Sequence, residues 1–148
     1  MNNLKEYNDI RYYTLENGTI GIFSVIDKNT TECIIPSEID GVAVTYITHH
    51  AFSDCTLLQS ILIPEGITHI DYRAFDKCYN LKSVEFPHSL KYIGDRAFNY
   101  CSSLIQVTIP EGVETLGMFV FGNCSQLLTV VTENPNTDLS KAFEVFPI

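Results

Sequence analysis

Apolar positions recur along this chain with a period longer than any helix or strand. Three stretches starting at Pro64, PEGITHIDYRAFDKCYNLKSVEF, PHSLKYIGDRAFNYCSSLIQVTI and PEGVETLGMFVFGNCSQLLTVVT, superpose at a spacing of 23 residues. A longer version, PSEIDGVAVTYITHHAFSDCTLLQSILI, precedes them. Repetition at this length is the signature of a solenoid, whose units cannot close a core alone and must stack to bury one.

Within a copy, the pattern alternates first. Ile61 and Ile63, Val84 and Phe86, and Val107 and Ile109 share one parity, so each reads as the inward side of a short strand. The other parity carries Ser60 and Leu62, Ser83 and Glu85, Gln106 and Thr108, then Thr129 and Val131, and points outward. Pro36, Pro64, Pro87 and Pro110 end the strands, because proline has no N–H to give a ladder. An apolar pair three residues apart follows (Val44/Ile47, Ile67/Ile70, Leu90/Ile93, Val113/Leu116) and predicts a second short extended segment. Then come Ala51-Phe52, Ala74-Phe75, Ala97-Phe98 and Val120-Phe121, each followed by Cys and Leu at three-residue intervals. That spacing predicts a short helical turn held by packing.

The ends depart from the repeat. Residues 1–11 are polar and read as a loosely held lead-in. Arg11–Leu15 and Thr19–Ile26 flank Asn17-Gly18, a strong hairpin signal. The predicted hairpin covers the first edge of the stack, since terminal units must be atypical. Asp40-Gly41 marks a small turn inside the longer first copy. After Thr132 the pattern lapses, and Asp138 is placed to cap a short amphipathic helix with Leu139, Ala142, Phe143 and Phe146 inward. The expectation is one α/β solenoid domain spanning 1–148: an N-terminal cap over 1–32, about four repeats over 33–132, and a C-terminal cap over 133–148.

The residues that carry this pattern resemble a known family. Leu81-Lys82-Ser83-Val84-Glu85-Phe86-Pro87 and Ile93-Gly94-Asp95-Arg96-Ala97-Phe98-Asn99-Tyr100-Cys101 match the L-x-x-V-x-I-P and I-x-x-x-A-F-x-x-C pattern of the BspA-type leucine-rich repeat. The opener at 35–44 is similar to the first repeat of such arrays. The likeness implies a surface or secreted module, in some members one that binds extracellular proteins. The chain departs from the pattern at Val120 and at Met118-Phe119, where other copies have polar or charged residues.

Composition narrows the function. The chain has 148 residues, 45% of them hydrophobic, and a formal net charge of −9. The acid is spread over the whole length, which argues against a nucleic-acid footprint and against attraction to an anionic membrane. No run of 18 apolar residues predicts a membrane span. Charges occupy the N-terminal stretch where a signal peptide would have its apolar region, so the chain as written reads as cytoplasmic, or as a mature fragment given a new Met. Five cysteines, four at one repeat position (Cys55, Cys78, Cys101, Cys124), read as small buried residues rather than a disulfide framework. None has the paired spacing of a zinc site.

Chemistry in the sequence is sparse. His49 and His50 are adjacent, while His69 and His88 fall at other repeat positions, and no carboxylate recurs beside them. No nucleophile motif or phosphate loop is present, so no catalytic, metal or cofactor site is expected. Two faces remain as candidates for a protein partner. One is the outward face of the first strands, Ser60, Leu62, Ser83, Glu85, Gln106 and Thr108, edged by Glu65, His88 and Glu111. The other is the opposite flank, where Tyr46, His69 and Tyr92 align beside His50, Arg73 and Arg96, residue types frequent at interface hot spots. The expected function is non-catalytic protein binding through one of these faces, either adhesion-type or as an intracellular binder or inhibitor of a partner, of the kind a phage or mobile element encodes.

Overall fold

In the computed structural model, which describes residues 3–143, the copies stack as a solenoid with two sheets. The second strand of each copy builds the larger one. Here β6 (Val42–Ile47), β8 (His69–Ile70), β9 (Tyr92–Ile93) and β11 (Thr115–Leu116) pair in parallel, one copy after the next. Ile47, Ile70 and Ile93 stand in register and turn inward, fully buried.

The N-terminal segment extends this same sheet. β2 (Ile10–Thr14) and β3 (Ile20–Val25) form the antiparallel hairpin, and β3 joins β6 in parallel. Gly18 sits at φ +83°, a left-handed conformation that glycine adopts without penalty, and Asn17 Oδ1 accepts from the Thr19 N–H at 3.0 Å. Residues 5–7 correct the expectation of a loose lead-in. They form β1 (Lys5–Tyr7), antiparallel to β2, although their side chains are exposed. Main-chain pairing holds this strand, which an apolar pattern cannot report. In the longer first copy β5 (Glu38–Ile39) folds back on β6 through Asp40-Gly41, both at positive φ, and buries Ile39.

The first strands make a broken sheet. β4 (Glu32–Ile34) pairs with β7 (Ser60–Leu62), and β10 (Gln106–Ile109) pairs with β12 (Thr129–Thr132). Residues 83–86, between these two pairs, join neither ladder. Phe86 holds the inward position that Ile63 and Ile109 fill on either side, and its ring packs edge-on against Phe98, centroids 5.4 Å apart. We attribute the break to that larger ring.

The predicted helical turns are also corrected: the described residues contain no helix, so the fold is a β-solenoid of about five turns rather than α/β. Phe, Cys and Leu at three-residue intervals fit a chain of successive tight turns equally well. Ala51, Ser53, Cys55 and Leu58 each donate their N–H to the carbonyl three residues back. The N–H groups of Phe52 and Asp54 instead reach the next copy, at Ala74 and Asp76. Part of the backbone bonding therefore runs between copies, and positive φ at His50 and Asp54 interrupts any helix. The same conformation recurs at Arg73 and Lys77, at Arg96 and Tyr100, and at Phe119 and Asn123.

The core between the sheets consists of ladders. Phe52, Phe75 and Phe98 stack with centroids 5.0 and 4.9 Å apart, and Phe121 and Phe143 continue the row. Ala142-Phe143 is thus a further copy of the Ala-Phe turn rather than part of a helix. Phe119 and Phe121 donate their N–H groups to the carbonyls of Lys141 and Ala142. Asp138 does accept the Ser140 N–H, at 2.8 Å, while Phe146 lies outside the described residues. Cys78, Cys101 and Cys124 each donate S–H to the Phe carbonyl of the preceding copy, at 3.2, 3.3 and 3.1 Å. Burial pushes their thiols up, Cys124 to about 12, which keeps the donating proton in place. All five cysteines are free.

Candidate functional site

The outward side of the larger sheet carries the aromatic row. Pairing sets Tyr46 opposite His69 and His69 opposite Tyr92. Their rings stack at 4.9 Å and 10°, then at 5.5 Å and 31°. Tyr46 Oη donates to Asp71 Oδ2 at 3.2 Å, and Thr68 Oγ1 lies 2.8 Å from His69 Nδ1. Burial first, then the neighbouring Asp71 carboxylate, raises the Tyr46 phenol to about 12 and moves Tyr13 and Tyr92 in the same direction. The tyrosine rings therefore present neutral, half-buried faces.

The row has a gap that the sequence did not reveal. Tyr13 of the hairpin pairs with Gly21, and Gly21 pairs with Tyr46. Glycine puts no side chain between the two tyrosines. A Cβ there would press on Leu15 and Thr48 at 3.2 Å. Leu15 and Thr48 thus close over Gly21, and beside them lies an open groove of about 460 Å³, edged by Tyr13, Tyr46, His69, Asp71 and Glu16. The signal available in the sequence was register: Gly21 occupies in the cap strand the place that Tyr46 and His69 occupy in the copies.

Arg73 and Arg96, expected beside these aromatics, have other partners. Each sits at positive φ and is only partly exposed. The Arg73 guanidinium lies 5.2 Å from the Tyr72 ring centre, with its Nε 3.9 Å from Asp76. Arg96 lies 5.4 Å from the Phe119 ring centre. The flank therefore divides into an aromatic row and separate cation–ring contacts, of which Arg73 on Tyr72 lies within one copy and Arg96 on Phe119 joins one copy to the next. Met118 is exposed, whereas Phe119 is half-buried under the closing turn.

On the first face Ser60, Leu62, Gln106 and Thr108 are exposed on β7 and β10 as predicted, and Ser83 and Glu85 are exposed on the segment between them. The face is discontinuous there. Glu65 is committed elsewhere: its carboxylate accepts the His88 N–H at 2.8 Å and the Ser89 N–H at 3.2 Å, and these bonds hold it below the usual carboxylate range. The sequence reading missed Ile34, which is 72% exposed and pairs with Leu62, itself 52% exposed.

The histidines do not converge. His49 and His50 lie ring to ring at 6.0 Å, and His88 meets Glu65. Among the described residues no group of three or more His, Cys, Asp or Glu is placed to hold a metal ion. Among the described residues no helix is long and apolar enough to cross a membrane.

Comparison with known proteins agrees with this geometry. The BspA type leucine-rich repeat region matches residues 18–145 in 6 copies, and the chain belongs to that family. The match takes in the hairpin strand β3 and the closing Ala142-Phe143 turn, both beyond the four copies read from the sequence. Among solved structures, a leucine-rich repeat protein from Bacteroides capillosus is similar at 26% identity with a TM-score of 0.78, over 88% of this chain and 99% of that one. The T. pallidum leucine-rich repeat protein shares the fold at 24% identity and a TM-score of 0.67, over 88% and 84%. A leucine-rich repeat protein from Bacteroides ovatus is similar at 26% identity and 0.64, over 95% of this chain but 46% of its own length. A search of curated proteins finds no match.

Proposed function

We propose that this chain is a non-catalytic protein-binding module, adhesion-type in character, and that it engages its partner through the outward side of the larger sheet. The stacked row of Tyr46, His69 and Tyr92 carries this reading. Stacking and main-chain pairing fix these rings before any partner arrives, so little side-chain entropy is lost on contact. Neutral aromatic faces with polar tips are the surface chemistry enriched at interface centres. Family membership supports a binding role, and a repeat solenoid offers an extended face for it. The first face is the weaker candidate because its strands do not form one surface.

Affinity capture with the full chain from its native source tests the choice of face. Tyr92→Ser removes one ring of the row, and Glu85→Lys reverses a charge on the first face. Recovery of the partner should fall at least tenfold with Tyr92→Ser and stay within twofold with Glu85→Lys. The opposite ranking would move the site to the first face, and equal recovery with both would exclude both faces.

A further inference from the structure

The groove between Tyr13 and Tyr46 has a chemistry distinct from the rest of the aromatic row. Two carboxylates, Asp71 and Glu16, border it with the imidazoles of His49 and His69, and among the described residues no lysine or arginine lines it. Asp71 already accepts the Tyr46 hydroxyl on one oxygen and the Tyr72 N–H, at 2.7 Å, on the other, which holds its carboxylate in one orientation. A carboxylate oxygen has lone pairs for a second donor each. Tyr46 and His69 form one wall as a stacked pair, and Tyr13 also lines the groove, one strand further along the sheet. Thr48 also lines the groove. It is 2% exposed, and its hydroxyl has no hydrogen-bond partner among the described residues. The site thus combines two carboxylates, ring faces and an unsatisfied buried hydroxyl.

We infer that this groove is a subsite for one cationic side chain, arginine or lysine, presented by a protein partner. The inference rests on the reading of the larger sheet as the binding face and names what its N-terminal end recognises. A cation within about 6 Å of a ring centre is attracted by the ring face, and carboxylates beside the ring add to that attraction. A guanidinium suits the place best, because it can lie flat on a ring while its N–H groups reach an acidic oxygen. The groove is open on one side and of modest volume, which suits a side chain arriving on a larger molecule. An acidic partner segment would meet Asp71 and Glu16 as like charges. The overall charge of −9 draws a basic segment toward the protein, and the groove offers ring faces beside its acids.

The test uses the full chain labelled with nitrogen-15 and two twelve-residue Gly/Ser peptides, one carrying three arginines and the other three glutamates in their place. Amide and ring shifts are followed on titration for the native chain, Asp71→Asn, Glu16→Gln and Glu111→Gln. Asn keeps an acceptor for the Tyr72 N–H, and Glu16 is exposed, so at least one groove variant keeps the fold. The arginine peptide should give saturable shifts centred on Tyr13, Tyr46 and His69. Its Kd should rise at least fivefold in Asp71→Asn or Glu16→Gln and stay within twofold in Glu111→Gln, which is remote. Shifts scattered over the acidic surface, equal effects of all three substitutions, or an equal response to the glutamate peptide would overturn the subsite. If the arginine peptide misses the groove while Tyr92→Ser still releases the captured partner, the subsite is wrong and the binding face stands. If the peptide seats in the groove while Tyr92→Ser retains the partner, the face is wrong and the subsite stands.

Discussion

The two sheets are built from the same repeat, yet one is continuous and the other is broken. In the larger sheet the inward position is Ile47, Ile70, Ile93 and Leu116, side chains of nearly one shape. Each copy can then sit at the same height, and bonds such as Asp71 N–H to Ile47 O and Gly94 N–H to Ile70 O pass without interruption from copy to copy. In the smaller sheet the corresponding positions are Ile35, Ile63, Phe86 and Ile109, and pairing stops at the phenylalanine. In a solenoid, ladder continuity depends on uniformity at the inward position. A single larger ring is enough to interrupt it, because packed interiors yield little to added volume. The consequence for function is that rings on the larger sheet are held in a row, whereas outward residues on the smaller sheet are not.

Close approach of the backbone reinforces the difference. At Gly94 an added Cβ would lie 2.7 Å from the Tyr72 nitrogen, and at Gly117 2.5 Å from that of Asp95. Glycine at these places lets successive copies of the larger sheet nest.

The largest expected contrast comes from truncating one residue of each sheet. Ile22 is fully buried in β3, where the hairpin joins the stack, so Ile22→Ala should cost about 2–5 kcal/mol in urea unfolding. Ile34→Ala, on the exposed side of β4, should change stability by less than about 0.5 kcal/mol. Equal losses would erase the distinction between welded and open edges.

Alkaline pH acts next, on the thiol ladder that both sheets enclose. Burial raises the folded pKa of Cys78 and Cys101, so the unfolded chain releases these protons first. Their contribution is complete below about pH 8.5, the ordinary thiol range, and is lost as pH rises above it. For the two together the slope is about 3 kcal/mol per pH unit. Urea midpoints measured from pH 7 to 10 should fall accordingly, and Cys101→Ala should flatten the fall by about a fifth, because burial raises Cys33, Cys55 and Cys124 as well. A flat profile would mean that the thiols ionise as readily in the fold as out of it.

The smallest effect is the most specific. Phe86→Ile gives the smaller sheet the side chain found one copy before and one copy after. Global stability should move by no more than about 1.5 kcal/mol. The amides of Val84–Phe86, however, should gain protection against hydrogen exchange as β7 and β10 become joined. No gain would assign the break to something other than the ring.

Much of this architecture is legible in the sequence, and each part that is not has a physical reason. Alternation gave the inward and outward parity of Ser60–Ile63 and Gln106–Ile109, and Asn17-Gly18 gave the hairpin. The turns were read as helical because a three-residue spacing of Phe, Cys and Leu does not distinguish a helix from successive tight turns. Only the destinations of the Phe52 and Asp54 N–H groups do so. The Ala142-Phe143 turn was hidden by its shorter spacing and by the missing Cys, and β1 by its polar side chains. The aromatic row was visible as Tyr46, His69 and Tyr92, but the groove was not. It depends on Gly21 falling in register between Tyr13 and Tyr46, a relation between the cap and the repeats that no periodicity within the repeats contains.

Native-state hydrogen exchange on the free protein, read residue by residue, tests the central claim of a continuous platform beside a broken one. The amides of Gly21, Tyr46, Ile47, Ile70 and Ile93 should fall in one slow class, and those of Val84, Glu85 and Phe86 should exchange at least a hundredfold faster. A single uniform class across both sheets, or faster exchange at Ile47 and Ile70 than at Val84, would contradict it.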